Sequence, residues 1–496
     1  MHQMRSRPTV GRFVSSATAA TAIAAFLLLT GPSVLAQSGE RWVGTWATAV
    51  VARPQPGQGA PPAGGFGAPV APQCFGQAPP AQASTASAVT ASPTTTAPST
   101  TAPSTTAQGQ ALNAPPGPGG PGGGGRGQGG GGGRGGGVPL NFNNQTLRQI
   151  VHTSLGGDRV RIVLSNAFGT SALSVGAAHV ALREKESAIV KASDRAVTFG
   201  ASPSVNIPAG AVVVSDPVAL TVPAFADLAI DVFLPGDTAA SPSPLTTHGG
   251  ALQTNYVSAT GNHAGEADLP GATTTAAWFF LSRVEVAASQ QAGAIVAFGD
   301  SITDGTRSTA NTNNRWPDHL AKRLQAQKIN IGVLNQGIAG NRVLGDGAGV
   351  SALARFDRDV LAQGGVTHVI VLESINDIGL ARDNPCPSAA DLIAAHRQLI
   401  ERAHARGLKI FGATLTPFEG AAYWTKEGEA KRQALNDWIR TSKIYDGVVD
   451  FDAAVRDPSA PTKLQPQFNP GDNLHLTDAG YQAMANAIDL GLFKKK

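Results

Sequence analysis

Cysteine is scarce in this chain of 496 residues, which holds only Cys74 and Cys386. In an exported protein two such residues permit one disulfide, and the sequence alone leaves open whether they approach each other. Also missing are a Walker loop, a dinucleotide-binding glycine fingerprint and any spacing suited to zinc, so the chemistry is expected to need no cofactor and no metal. His248, His263, His368, His396 and His404 accordingly read as surface or core histidines. An excess of charge of one sign is missing too. The formal charge of +4 falls to about +1 once Arg5, Arg7 and Arg12 of the leader are removed. That balance argues against nucleic acid or another polyanion as a partner.

No apolar run reaches the roughly 20 residues that a membrane span needs. Residues 1–36 instead read as a Sec-type secretory signal, with a basic n-region, the apolar stretch ATAIAAFLLL and a small-residue cleavage site at Val34-Leu35-Ala36. No cysteine immediately follows that site, where Gln37 stands, which argues against a lipoprotein anchor, and RSR is not a twin-arginine pair. The mature chain, opening with the segment 37–49, is expected to be a secreted protein, periplasmic or extracellular, with no integral membrane association. Large apolar side chains are then almost absent from residues 50–140, which carry TTAPSTTAPSTTA and a long Gly/Arg run. Such a stretch buries too little to order a backbone and reads as a disordered low-complexity insertion, open to O-glycosylation or use as a spacer.

What is present falls into two patterns, and a chain of this length is expected to build two cores. Residues 141–288 alternate in short runs, as in DRVRIVLSNAF, where Val160, Ile162 and Leu164 share one face, and Gly, Pro, Asn and Asp turns separate the runs. This is the pattern of an all-β sandwich or jelly roll. Within it, residues 247–263 are a structural loop or, less simply, a ligand loop. Residues 289–496 change to buried apolar strands (AIVAF, IGVLNQG, HVIVLES, LKIFGATL, GVVDF) alternating with amphipathic segments. Parallel strands with helical crossovers follow, and ligands of such sheets sit at the carboxyl ends of the strands.

Ser301, in AIVAFGDSITDG, stands at the tip of the first of those strands. A serine hydroxyl becomes a nucleophile only when a base takes its proton and a third group holds the base. GDNLHLTDAGY supplies Asp472 and His475 three apart before the last helix. Gly340 in NQGIAGNR and Asn376 in LESINDIG follow two other strands and could donate N–H groups to a developing oxyanion. Asp300 and Asp377 are expected to brace backbone N–H groups. Trp316-Pro317 could line an acyl pocket or pack a helix start.

These four blocks, in this order, resemble the SGNH (GDSL) hydrolase superfamily over roughly residues 293–491. The exported subgroup with an N-terminal β-sandwich, opening with WVGTWA at Trp42–Ala47, is similar too. The resemblance implies a flavodoxin-like doubly wound parallel sheet and a serine esterase. Ser301 would be nucleophile and first oxyanion donor, Gly340 and Asn376 the other donors, His475 the base and Asp472 its orienting acid. The implied partner is a small-molecule or glycan ester, short-chain or acyl on carbohydrate. A base must be neutral to accept a proton, so hydrolysis is expected to fall on acidification through the range where an imidazole titrates, near roughly pH 6.5. The alternative is a polysaccharide-binding or surface-attachment protein whose hydrolase domain is impaired. Its one supporting feature is Ser374, where the family pattern has glycine. A serine there is expected to strain or displace the loop carrying Asn376, so that Ser374→Gly raises kcat.

Overall fold

The computed structural model describes residues 40–55, 141–381 and 385–494. The leader, most of the insertion and Cys74 lie outside them. Cys386 is disulfide-bonded, and the question of its pairing with Cys74 falls outside the described residues. No helix among the described residues is long and apolar enough to cross a membrane.

Val160, Ile162 and Leu164 alternate along Gly157–Ser165 and are fully buried, so one face of that strand lies on a core. It pairs antiparallel with Leu281–Ala288, which in turn pairs with Arg41–Ala47. The segment Arg41–Ala47 is thus an edge strand of the sandwich rather than a lead-in to it. A facing sheet is built around Asn143–His152, Asp227–Asp237 and Ala177–Lys185, all antiparallel. Arg148 is buried there and grips Asp231 with two bonds of 2.8 Å, Nε to Oδ1 and Nη2 to Oδ2. The sequence 247–263 is mostly strand. Leu245–Gly249 is the centre of a three-stranded sheet between Val51–Arg53 and Ala277–Phe279, and Asn255–Thr260 joins the sheet of Asn143–His152.

The second half is a five-stranded parallel sheet: β1 (Gly293–Gly299), β2 (Ile331–Gly337), β3 (Val366–Leu372), β4 (Lys409–Ala413) and β5 (Gly447–Val449). Their order is β2-β1-β3-β4-β5. This is the flavodoxin-like arrangement, whose switch point lies between β1 and β3. The helices are α1 (Ser301–Asp304), α2 (Trp316–Ala326), α3 (Ala352–Phe356), α4 (Ile375–Gly379), α5 (Ala389–His404), α6 (Lys426–Thr441), α7 (Phe451–Val455) and α8 (Asp478–Asn486).

Two separate cores are not what forms. One contiguous set of buried apolar side chains runs from Val43 of the sandwich through Ile295 of β1 to Phe493, and the described residues from Arg41 onward make one compact unit. The join is close. The N–H of Gly44 donates to Gly364 O at 2.9 Å, and the hydroxyl of Ser154 donates to Thr45 O at 2.6 Å while accepting from Val333 N of β2 at 2.9 Å. A Cβ on Gly332 would stand 2.4 Å from Gly44 O, so only glycine lets edge strand β2 meet the sandwich there.

Candidate active site

β1 delivers the serine. After Gly299 the chain turns at Asp300, whose Oδ1 accepts the N–H of Ile302 at 2.9 Å and so caps the single turn of α1. Ser301 is the first residue of that turn, where a backbone N–H has no partner within the helix. Gly305 then closes α1 in the left-handed region. Ser301 is buried at 2 % exposure, and its Oγ lies 2.9 Å from Nε2 of His475.

The histidine is held by its own loop. Asp472 Oδ1 accepts the N–H groups of Leu474 at 3.2 Å and His475 at 3.0 Å, folding the backbone, while Oδ2 stands 3.0 Å from His475 Nδ1. An ionised carboxylate only accepts, so Nδ1 carries the ring proton and Nε2 is left to receive the hydroxyl proton of Ser301. Partial burial would push the Asp472 carboxyl up, but the bonds from His475 and from Arg307 outweigh it and hold it well below the usual carboxylate range. Arg307 Nε donates to Asp472 Oδ2 at 3.0 Å. Nothing in the motif pattern points to Arg307, which comes from the loop after α1.

The three expected oxyanion donors follow the adjacent strands β1, β2 and β3. Ile338 N donates to Gly299 O at 3.0 Å, tying the ends of β2 and β1. The chain then makes a turn in which Asn341 N donates to Ile338 O at 3.0 Å and Gly340 has φ of 79°. That conformation at the third residue of a turn favours glycine. Asn376, in the first turn of α4, donates from Nδ2 to Asn341 O at 2.9 Å, which takes one of its two amide protons. Tyr423 Oη lies 3.4 Å from the Asn376 Oδ1, on the acceptor side of the amide.

A buried arginine locks these loops together. Arg355 donates from Nη2 to Gly299 O at 2.9 Å, from Nη1 to Gln336 O at 2.8 Å, and from Nε to Asn341 Oδ1 at 2.8 Å. Nη2 also meets Glu373 Oε1 at 3.2 Å, and the guanidinium lies 4.1 Å from the centroid of Phe298. Asp377 accepts from Val343 N at 2.7 Å and Leu344 N at 2.9 Å, the bracing expected of it. Burial pushes the Asp377 carboxyl up to about 6 and that of Asp300 up to about 7, and it raises Glu373 well above its ordinary value. Trp316 is fully buried at the start of α2, with its ring centroid 5.3 Å from that of Phe451. It packs a helix start and does not line an acyl pocket.

Ser374 has φ of 104°, the left-handed region in which glycine is at home. The loop is nevertheless in place, because the hydroxyl has a partner. Ser374 Oγ lies 3.0 Å from His396 Nε2, and His396 Nδ1 lies 2.6 Å from Tyr445 Oη. Burial lowers the His396 pKa to about 4, so a neutral ring bridges two hydroxyls. The strain of a side chain at positive φ, about 1 to 2 kcal/mol, is set against the cost of leaving a buried imidazole nitrogen unpaired, about 1 to 3 kcal/mol. The expected gain in rate from Ser374→Gly therefore disappears. That variant should change kcat by less than about threefold and stability by about 1 kcal/mol at most in either direction, as measured by ester hydrolysis and urea unfolding.

Residues 297–483 match the GDSL-like lipase/acylhydrolase family. No curated protein matches the chain. Among solved structures, a GDSL-like lipase from Bacteroides thetaiotaomicron is similar at 20 % identity, covering 40 % of this chain and 87 % of its own, with a TM-score of 0.31. A carbohydrate acetylesterase family member from Sinorhizobium meliloti is 16 % identical, covering 39 % and 94 %, with a TM-score of 0.32. The Mycobacterium smegmatis aryl esterase is also 16 % identical, covering 39 % and 95 %, with a TM-score of 0.31.

Proposed function

We propose that the protein, whose residues 297–483 match the GDSL-like lipase/acylhydrolase family, is a secreted serine esterase for short-chain acyl esters or acyl groups on carbohydrates. The observation that carries this reading is the relay of 2.9 Å from Ser301 Oγ to His475 Nε2 and 3.0 Å from Nδ1 to Asp472 Oδ2. Ser301 Oγ attacks the ester carbonyl as its proton passes to Nε2, and Asp472 stabilises the imidazolium. The carbonyl oxygen, now anionic, meets the N–H groups of Ser301 and Gly340 and the second amide proton of Asn376. Collapse returns the proton to the leaving alcohol and leaves an acyl-serine. Water then attacks that ester by the same relay and frees the acid.

A short acyl group is favoured by the surface. The exposed large hydrophobic residues among those described are Val190, Val212, Val214, Leu380 and Val448. Of these, Leu380 alone adjoins the site, at the end of α4, which offers no broad apolar landing for a long-chain lipid. Export is supported by the leader pattern of residues 1–36. The test is covalent labelling of Ser301 by an active-site phosphonate, followed by p-nitrophenyl esters of increasing chain length beside acetylated xylan. Labelling with fastest turnover of the shortest esters is expected. An unlabelled serine would end the esterase reading, and a preference for long chains would end the short-acyl one.

A further inference from the structure

His248 lies on Leu245–Gly249 of the sandwich, fully enclosed, with the ring of Trp278 5.6 Å away between centroids. Its Nδ1 stands 2.7 Å from Ala49 O, and its Nε2 stands 3.1 Å from Asp304 Oδ1. A carbonyl oxygen can only accept, so Nδ1 carries a proton. A second proton must lie between Nε2 and Oδ1, because two bare acceptors at that distance repel. The pair is thus a buried charge-assisted bond, with His248 donating on both sides. Asp304 is the last residue of α1, and Ser301 is the first. In a one-turn helix, a shift at one end is a shift at the other.

The same sandwich edge grips the loop after α1. Asn311 N donates to Leu252 O at 2.8 Å, and Asn311 Oδ1 accepts from Thr254 N at 2.7 Å and from Gln253 Nε2 at 3.0 Å. That loop carries Arg307, the guanidinium on Asp472. Both ends of the catalytic relay are therefore referred to the sandwich, one to the strand Leu245–Gly249 and the other to the loop that follows it.

We propose that the sandwich is a working part of the active site and that His248 is a positioning residue, holding α1 and so Ser301 Oγ through its bond to Asp304. This rests on Ser301 as the nucleophile. Burial alone would lower the His248 pKa, but Asp304 and the bond to Ala49 O outweigh it, and the group titrates above its ordinary value. Arg315 faces it from the start of α2, paired with Asp318, and opposes the rise; Tyr481 of α8 and Asp300, the residue before α1, face Asp304 in the same cluster. With a raised pKa the imidazolium is fully present at low pH and is lost as pH climbs through the folded value. The wild-type enzyme should then show a fall in kcat on the alkaline side that belongs to this pair.

The experiment compares His248→Gln and His248→Leu with the wild type by kcat and KM for p-nitrophenyl acetate from about pH 6 to about pH 10, with spontaneous hydrolysis subtracted. Glutamine can donate to Asp304 at every pH, so that variant should keep kcat within about threefold and lose the alkaline fall. Leucine leaves Asp304 buried without its donor and should lower kcat at least about tenfold with KM within about twofold. An alkaline fall unchanged in the glutamine variant, or a folded leucine variant with wild-type kcat, would overturn the proposal. If the leucine variant fails to fold, the glutamine pH profile decides alone. Phosphonate labelling of the wild type separates the two readings: no labelling removes Ser301 as nucleophile, whereas labelling with an unaltered glutamine profile removes only the role of His248.

Discussion

Ser301→Ala and His475→Ala are each expected to lower kcat by roughly four orders of magnitude or more, and the double variant to be scarcely slower than either one. The reason is geometric. With Oγ 2.9 Å from Nε2 and Nδ1 3.0 Å from Asp472 Oδ2, neither residue has a use in the reaction without the other. Alanine at 301 leaves a base with no proton to take. Alanine at 475 leaves a hydroxyl that stays protonated at neutral pH and attacks no ester. Activity left in all three variants would come from the oxyanion donors and substrate binding. Steady-state kinetics with a labelled-site titration to count intact molecules gives the comparison. If the two losses add in free energy, the residues act independently and the relay is not the catalytic unit.

How far the sequence foretells such a site depends on which kind of fact is asked of it. Strands buried on both faces run mostly apolar, so β1 to β3 are visible as AIVAF, IGVLNQG and HVIVLES, and polar residues at or just past their ends mark the site. The same patterning tells which face of a strand is covered but not by what. Arg41–Ala47 reads only as an opening segment because its partner Leu281–Ala288 lies beyond the insertion, and the merging of two expected cores into one follows from the contacts that this strand makes in turn with Gly364 and with Gly332 of β2. His248 carries no local sign of Asp304, 56 positions away, nor Arg307 of Asp472, 165 away. Arg355 joins the strand-end loops through carbonyl oxygens, a role that no residue type announces. At Ser374 a departure from the family pattern is visible but its meaning is not, since His396, which engages the hydroxyl, lies 22 residues further on.

Asn376→Ala is expected to lower kcat by roughly a hundred- to a thousandfold while KM moves little, the signature of a donor used only when charge develops on the substrate oxygen. The amide is pre-aimed. Its Nδ2 is held 2.9 Å from Asn341 O, and Tyr423 Oη lies on the Oδ1 side at 3.4 Å. The flipped amide would set oxygen against a carbonyl and is disfavoured. Alanine also leaves Asn341 O without that bond, a loss of about 1 kcal/mol in stability that urea unfolding measures apart from the rate. Asn376→Asp sharpens the comparison, because it keeps the shape but places an acceptor where the oxyanion needs a donor. It should be slower than alanine at neutral pH. Since Ser374 is accommodated by His396, Asn376→Ala should be equally severe with serine or glycine at 374. A harmless alanine in both backgrounds would mean that Asn376 supports the turn at Gly340 and that the oxyanion is held by the two backbone N–H groups alone.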